Sequence, residues 1–119
     1  MKLLMAIILL ILSPSLALPN DPDCTGVERW PTSMAFVHLK NAGLTDSNRM
    51  DFTKTITIRL ASEKIGKNLY RKIHHIMFSE KSGRTIEVIT SNKASSEECS
   101  MSDVDVFVIS QHLGNLKEK

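Results

Sequence analysis

The segment that decides the fold runs from Tyr70 to Thr90 and reads YRKIHHIMFSEKSGRTIEVIT. Two apolar runs flank the turn-forming residues Lys81 to Arg84, and this pattern is typical of a β-hairpin. The first run carries bulky apolar side chains in both registers of a strand, so both of its faces are expected to be partly covered. The segment therefore predicts two neighbouring antiparallel strands, the first of them near the centre of a sheet.

The register of the hairpin follows from its turn. If Ser82 and Gly83 form the tip, Met77 lies opposite Val88, and a four-residue loop leaves the same pair in place. Residues that lie opposite each other share a face of the sheet, and we expect a helix to cover the face that this pairing defines. Its predicted apolar members are Ile73, Met77, Ile86 and Val88.

A helix of about three turns is predicted before the sheet. Pro31 suits its first turn, Thr32 or Ser33 is expected to cap it, and Gly43 is expected to end it. Its apolar residues recur at helical spacing, which predicts a broad face that packs on the sheet. That face comprises Ala35, Phe36, Leu39 and Ala42.

Two further strands complete the predicted sheet. Ile56, Ile58 and Leu60 alternate with other residues at a period of two, which is typical of a half-buried strand. The last strand is predicted to run from Val104 to about Ser110. One N-terminal helix followed by four strands with short connections predicts an α+β domain, in which the helix packs on a four-stranded antiparallel sheet.

Residues 1–17 have the three-part pattern of a secretory signal peptide. A basic start is followed by an apolar run over residues 3–12, and Ser15 and Ala17 place small side chains at cleavage spacing. Cleavage after Ala17 would leave a single domain over residues 18–119, directed to the periplasm or the medium. A retained membrane anchor is the alternative, but the apolar run is short for a span of about 20 residues.

The mature chain keeps both cysteines, Cys24 and Cys99. In an oxidising compartment an even count usually indicates a bridge. A metal or redox pair is the alternative, but the two residues stand 75 positions apart and lack Cys-x-x-Cys spacing. We therefore expect one disulfide, which would hold the long polar segment 92–103 in place.

The charge of the mature chain is nearly balanced, because 13 acidic residues meet 14 of the 15 Lys and Arg. Such a balance lacks the basic footprint of a nucleic-acid-binding protein. The acids Glu97, Glu98 and Asp103 form a candidate partner-binding loop, since loops often carry recognition residues. Solvated surface charge is the default alternative. Their spacing does not follow a calcium loop, and we expect no metal and no cofactor.

Lys72, His74 and His75 form the one candidate catalytic set. A histidine with a nearby lysine would suit a small, nuclease-like hydrolase. Adjacent strand residues point to opposite faces, so the two histidines are not expected to bind one metal, and histidines that merely pack in a strand are the commoner case. The serine-hydrolase and zinc-protease motifs Gly-x-Ser-x-Gly, Ser-x-x-Lys and His-Glu-x-x-His do not occur.

The stretches 72–76, 81–90 and 96–104 resemble those of small exported bacterial proteins of an enterobacterial type, which have no assigned function. The resemblance covers most of the mature chain and carries no catalytic motif. In size, compartment and predicted architecture, these proteins are analogous to periplasmic inhibitor and immunity proteins. The resemblance implies a non-enzymatic protein that masks a partner protein, such as an enzyme or a toxin, through one face of the sheet or the disulfide-pinned loop. The small hydrolase is the alternative, and monomer and dimer both stay open.

Overall fold

The computed structural model describes residues 21–109. The predicted signal peptide, the predicted cleavage site and the predicted strand end near Ser110 lie outside the described residues. Helix α1 spans Trp30–Asn41, and the strands are β1 (Ile56–Gly66), β2 (Leu69–Ser79), β3 (Thr85–Ala94) and β4 (Asp105–Val108). The strands form one antiparallel sheet in the order β1-β2-β3-β4. Since α1 packs on one face of this sheet, the predicted α+β fold is confirmed.

The start of α1 is only partly as predicted. Pro31 does stand in its first turn, where its missing N–H costs no hydrogen bond. The N-cap residue is Arg29, whose side chain makes no capping bond, so the capping role predicted for Thr32 or Ser33 is wrong. The hydroxyl of Thr32 instead bonds that of Thr57, with 2.8 Å between the two Oγ1 atoms, and so ties the helix to β1.

Gly43 stands two residues after the last residue of α1 and stops the helix, as predicted. This glycine has a φ of 75°, in the left-handed region that glycine adopts without strain. The N–H of Leu44 donates to the carbonyl of Leu39 across 3.0 Å, which satisfies a carbonyl of the last helical turn. The chain can therefore turn back toward the sheet at this point.

The main hydrophobic core lies between α1 and one face of the sheet. Its buried members are Ala35, Leu39, Met50, Ile76, Phe78, Ile86 and Val88. A second buried cluster contains Cys24, Cys99 and Ala94, with Trp30 packed against it. The predicted disulfide between Cys24 and Cys99 is confirmed, and it joins the segment before α1 to the loop before β4.

The hairpin register differs from the predicted one by a single residue. Met77 pairs with Glu87 rather than with the following valine. The loop consists of three residues, Lys81 to Gly83, closed by a 2.7 Å hydrogen bond from the N–H of Glu80 to the carbonyl of Arg84. Its glycine has a φ of 95°, as in the common three-residue hairpin loop that ends in a left-handed residue. A loop of two or four residues would pair Met77 with Val88. A loop of three residues shifts this pairing by one position.

This shift changes which side of β2 meets the helix. Ile86 and Val88 face α1, as predicted, whereas Ile73 and Met77 face away from it. A one-residue change of register moves every side chain of a strand to the other face. The predicted helix-facing set was therefore correct for β3 and wrong for β2.

Candidate functional site

The face of the sheet opposite α1 is not covered by any described segment, and we call it the open face. Residues directly opposite each other in antiparallel strands share a face, so the pairings define its rows. These rows are Ile56, Met77 and Glu87; Ile58, His75, Ile89 and Phe107; and Ala61, Ile73, Ser91 and Asp105.

The open face is largely apolar. Ile56, Ile58 and Phe107 are exposed over 47%, 51% and 61% of their surface, and the apolar residues of the central strands between them are half-buried. The alternation predicted for β1 is present, but its isoleucines lie on the open face and not in the core. A contiguous exposed apolar surface on a small domain usually marks an interaction site. The open face is therefore the candidate binding site of this protein.

A polar pair stands in the middle of the open face. The Nε2 atom of His75 lies 3.1 Å from the Oε1 atom of Glu87, and each side chain is about one-third exposed. The contact crosses diagonally from β2 to β3, so it holds both side chains in fixed positions among apolar neighbours. Fixed polar groups inside an apolar surface supply orientation to a bound partner.

One end of the open face is charged. Arg71 and Lys93 lie opposite each other on β2 and β3, and Glu63 approaches Arg71 with 3.6 Å between charged atoms. A neighbouring groove of about 380 Å³ is lined by Arg71, Lys93, Asp103 and Asp105, among others. An apolar surface bordered by charged groups is a common composition of a protein interface.

The predicted partner-binding loop is held in place, as expected. The side-chain amide of Asn92 donates to the carbonyl of Cys99 across 2.8 Å, and the indole of Trp30 donates to the carbonyl of Ser102 across 2.9 Å. Glu97, Glu98 and Asp103 are all exposed. Of these acids, Asp103 borders the charged end of the open face.

The three candidate catalytic residues are not brought together. Lys72 and His74 share the helix side of β2 and are fully buried, whereas His75 stands on the open face. The ammonium group of Lys72 is paired with the carboxylate of Asp21. Neither buried side chain offers a group to a substrate at the surface.

His74 belongs to a buried polar cluster that the sequence analysis missed. Among the described residues, neither of its ring nitrogens nor the hydroxyl of Thr90 on β3 has a hydrogen-bond partner. Burial, together with the nearby charges of Lys72 and Arg59, lowers the pKa of His74 to about 4. The ring is therefore neutral at neutral pH. The sequence does contain a signal for this cluster, since buried polar residues recur at alternate positions of both central strands. They are Lys72 and His74 on β2, and Thr90 and Asn92 on β3.

Neither a metal site nor a membrane span is found between residues 21 and 109. Within that range, no three His, Cys, Asp or Glu side chains are grouped so that they could hold a metal ion. No helix there is long and apolar enough to cross a membrane. No protein-family model, curated protein or solved structure matches this chain.

Proposed function

We propose that this chain is an exported binding protein that masks a partner protein with its open face, in the manner of an inhibitor or immunity protein. The observation that carries the proposal is the contiguous apolar surface from Ile56 and Ile58 on β1 to Phe107 on β4. It lies on a sheet whose connections are fixed by hydrogen bonds and a disulfide. A rigid surface loses little conformational entropy when it binds.

The apolar side chains would supply most of the binding free energy. Ile58 and Phe107 each have more than half of their surface left to bury, and completing that burial contributes about 1 kcal/mol or more per residue. His75 and Glu87 would orient the partner, and the charged rim near Arg71 would select among partners. These roles require no chemical step.

Export is proposed on two grounds. The first is the signal-peptide pattern of residues 1–17. The second is the disulfide, since such bonds persist in oxidising compartments. Mass spectrometry of protein recovered from the periplasm or the medium is expected to find Leu18 as the first residue. An intact Met1 in that material would contradict the proposal.

Binding through the open face is tested with two matched variants. Affinity capture with the mature chain identifies candidate partners, and the dissociation constant of a purified partner is then measured for Ile58→Asp and Met101→Asp. Both positions are about half exposed, but Met101 lies in the loop before β4. Ile58→Asp is expected to weaken binding by about tenfold or more, and Met101→Asp to leave it unchanged.

If Met101→Asp weakened binding and Ile58→Asp did not, the binding site would lie in the loop before β4. Unchanged binding by both variants would refute the role of the open face. Thermal unfolding of each variant is the control for folding. Both substitutions replace exposed side chains, so the two midpoints are expected to lie close to that of the wild type.

A further inference from the structure

The two edges of the sheet differ in how they are protected. β1 has register irregularities between Arg59 and Ala61 and between Lys64 and Gly66, and it carries charged side chains at both places. Bulges and charges on an edge strand prevent pairing with another chain. β4 has no bulge, proline or lysine, and no described segment pairs with its outer edge.

The backbone of β4 points hydrogen-bonding groups to this outer edge, and no residue between 21 and 109 pairs with them. The N–H of Ile109 donates to the carbonyl of Glu87 across 2.9 Å, so Ile109 bonds to β3. In an antiparallel ladder, alternate residues point their N–H and C=O groups to the same side. The backbone N–H and C=O groups of Phe107 therefore also point toward β3. Those of Val106 and Val108 point outward, away from the sheet.

An apolar groove of about 350 Å³ lies beside this edge, between α1 and β4. Leu39 of the helix and Ala42 just after it line one side, and Val106 and Val108 line the other, with His38 and Asp105 as its polar members. Val108 is 46% exposed and Phe107, on the other side of the strand, is 61% exposed. An added strand would thus find hydrogen-bonding groups along β4, with apolar surface both above and below them.

We propose that the occupant is a second copy of this chain, paired antiparallel through β4 about a two-fold axis at Phe107. In this register Val106 of each copy lies opposite Val108 of the other, and the two pairs form four backbone hydrogen bonds. The two Phe107 rings meet on the open face as a cross-strand aromatic pair. On the opposite face of the sheet, Val106 and Val108 of each copy pack beside the groove between α1 and β4 of the other copy.

The charges of the strand permit this self-pairing. Asp105 is the only charged residue of β4, and the register places it opposite Ile109 of the second copy. The two Asp105 residues then stand about 14 Å apart along the strands, beyond the screening length of about 10 Å in ordinary buffer. The dimer would hold one continuous eight-stranded sheet and would join the two open faces. This inference goes beyond the proposed function and does not rest on it, because it needs no partner protein.

Sedimentation of the mature chain over a range of concentrations tests the pairing. The wild type is expected to shift from monomer to dimer as concentration rises. Val108→Pro removes an outward N–H without breaking a bond to β3 and is expected to weaken dimerisation about tenfold or more. Val108→Ala keeps the N–H but shortens the side chain, and is expected to weaken dimerisation clearly less than the proline does. A wild type that stays monomeric, or a proline variant that dimerises equally, overturns the proposal.

Cross-linking provides a second measurement that does not depend on the proline variant folding. Opposed residues of a non-hydrogen-bonded antiparallel pair have Cα atoms about 4.5 Å apart, which lies within the span of a disulfide. Phe107→Cys is therefore expected to form a covalent dimer when glutathione disulfide oxidises the two thiols. Ile58→Cys, on the protected edge strand, is the matched control and is expected to remain mostly monomeric. Equal cross-linking of both variants would contradict the two-fold axis at Phe107.

Discussion

His74 and His75 are consecutive residues of β2, yet His74 is fully buried on the side of the sheet that carries α1, while His75 lies on the open face, 3.1 Å from Glu87. The two rings therefore have different surroundings, and we expect them to affect different properties of the protein. His74 affects the stability of the fold, because its neutral ring is buried and has no hydrogen-bond partner within residues 21–109. His75 belongs to the surface that we propose binds another protein.

The free energy of unfolding is expected to fall as the pH is lowered from about 6.5 to about 4. In this range the unfolded chain protonates His74 and the folded chain does not, so the unfolded state binds more protons. The shift from 6.5 to about 4 corresponds to a loss of about 3 kcal/mol once the pH is below both values. Urea unfolding at a series of pH values measures it.

The control separates His74 from the other titrating groups. His74→Leu is expected to remove most of this loss. It leaves no hydrogen-bond partner unsatisfied in the described part of the chain, since the ring nitrogens have none there. His38→Gln, at an exposed position of α1, is expected to keep the loss. Asp21 has a pKa below its ordinary value of 3.8, so its contribution is lost only at still lower pH. An unchanged pH dependence in His74→Leu would show that the ring is not the cause.

The ion pair between Lys72 and Asp21 is expected to hold the segment before α1 on the sheet. Asp21→Asn leaves the ammonium of Lys72, which is fully buried, without a charged partner, and is expected to cost about 2 kcal/mol because Asp21 itself is partly exposed. Lys72→Met removes the buried charge and is expected to cost less. Unfolding of the two single variants and the double variant gives the coupling between them, and purely additive costs would mean that the pair contributes nothing.

The observed register predicts unequal costs for two truncations in the hairpin. Val88 is fully buried under α1, so Val88→Ala is expected to cost about 2 kcal/mol. Met77 is half-buried on the open face, so Met77→Ala is expected to cost less than about 1 kcal/mol. Urea unfolding of both variants measures the difference. A larger loss of stability for Met77→Ala than for Val88→Ala would instead support the register in which Met77 faces the helix.

The disulfide is expected to supply a large share of the stability. Cys24 and Cys99 are 75 residues apart, and closing a loop of that size contributes up to about 4 kcal/mol in the chain-entropy model. Small domains have only about 5–15 kcal/mol in total. Replacing both cysteines with alanine avoids free thiols and is expected to lower the free energy of unfolding by several kcal/mol. A change below about 1 kcal/mol would mean that the packing around the bridge holds the loop without it.

Much of the fold could be predicted from local patterns. Pro31 and Gly43 mark the ends of α1, the alternation from Ile56 marks β1, and the two apolar runs around Lys81 to Gly83 mark the hairpin. Each of these signals depends on backbone preferences of a few adjacent residues, so it can be recognised without the tertiary structure. The pairing of two cysteines was determined for a simpler reason, since a pair admits only one connection.

The candidate site could not be predicted in the same way, because alternation defines two faces of a strand without showing which one is covered. Ile56 and Ile58 have the pattern of core residues, yet they lie on the open face, while Lys72 and His74 are buried. The single left-handed glycine of a three-residue loop, Gly83, decides the register of the hairpin. By itself the sequence determined the helix, the strands and the bridge; the tertiary structure decided which side of the sheet α1 covers, because that depends on pairing between residues far apart in the chain.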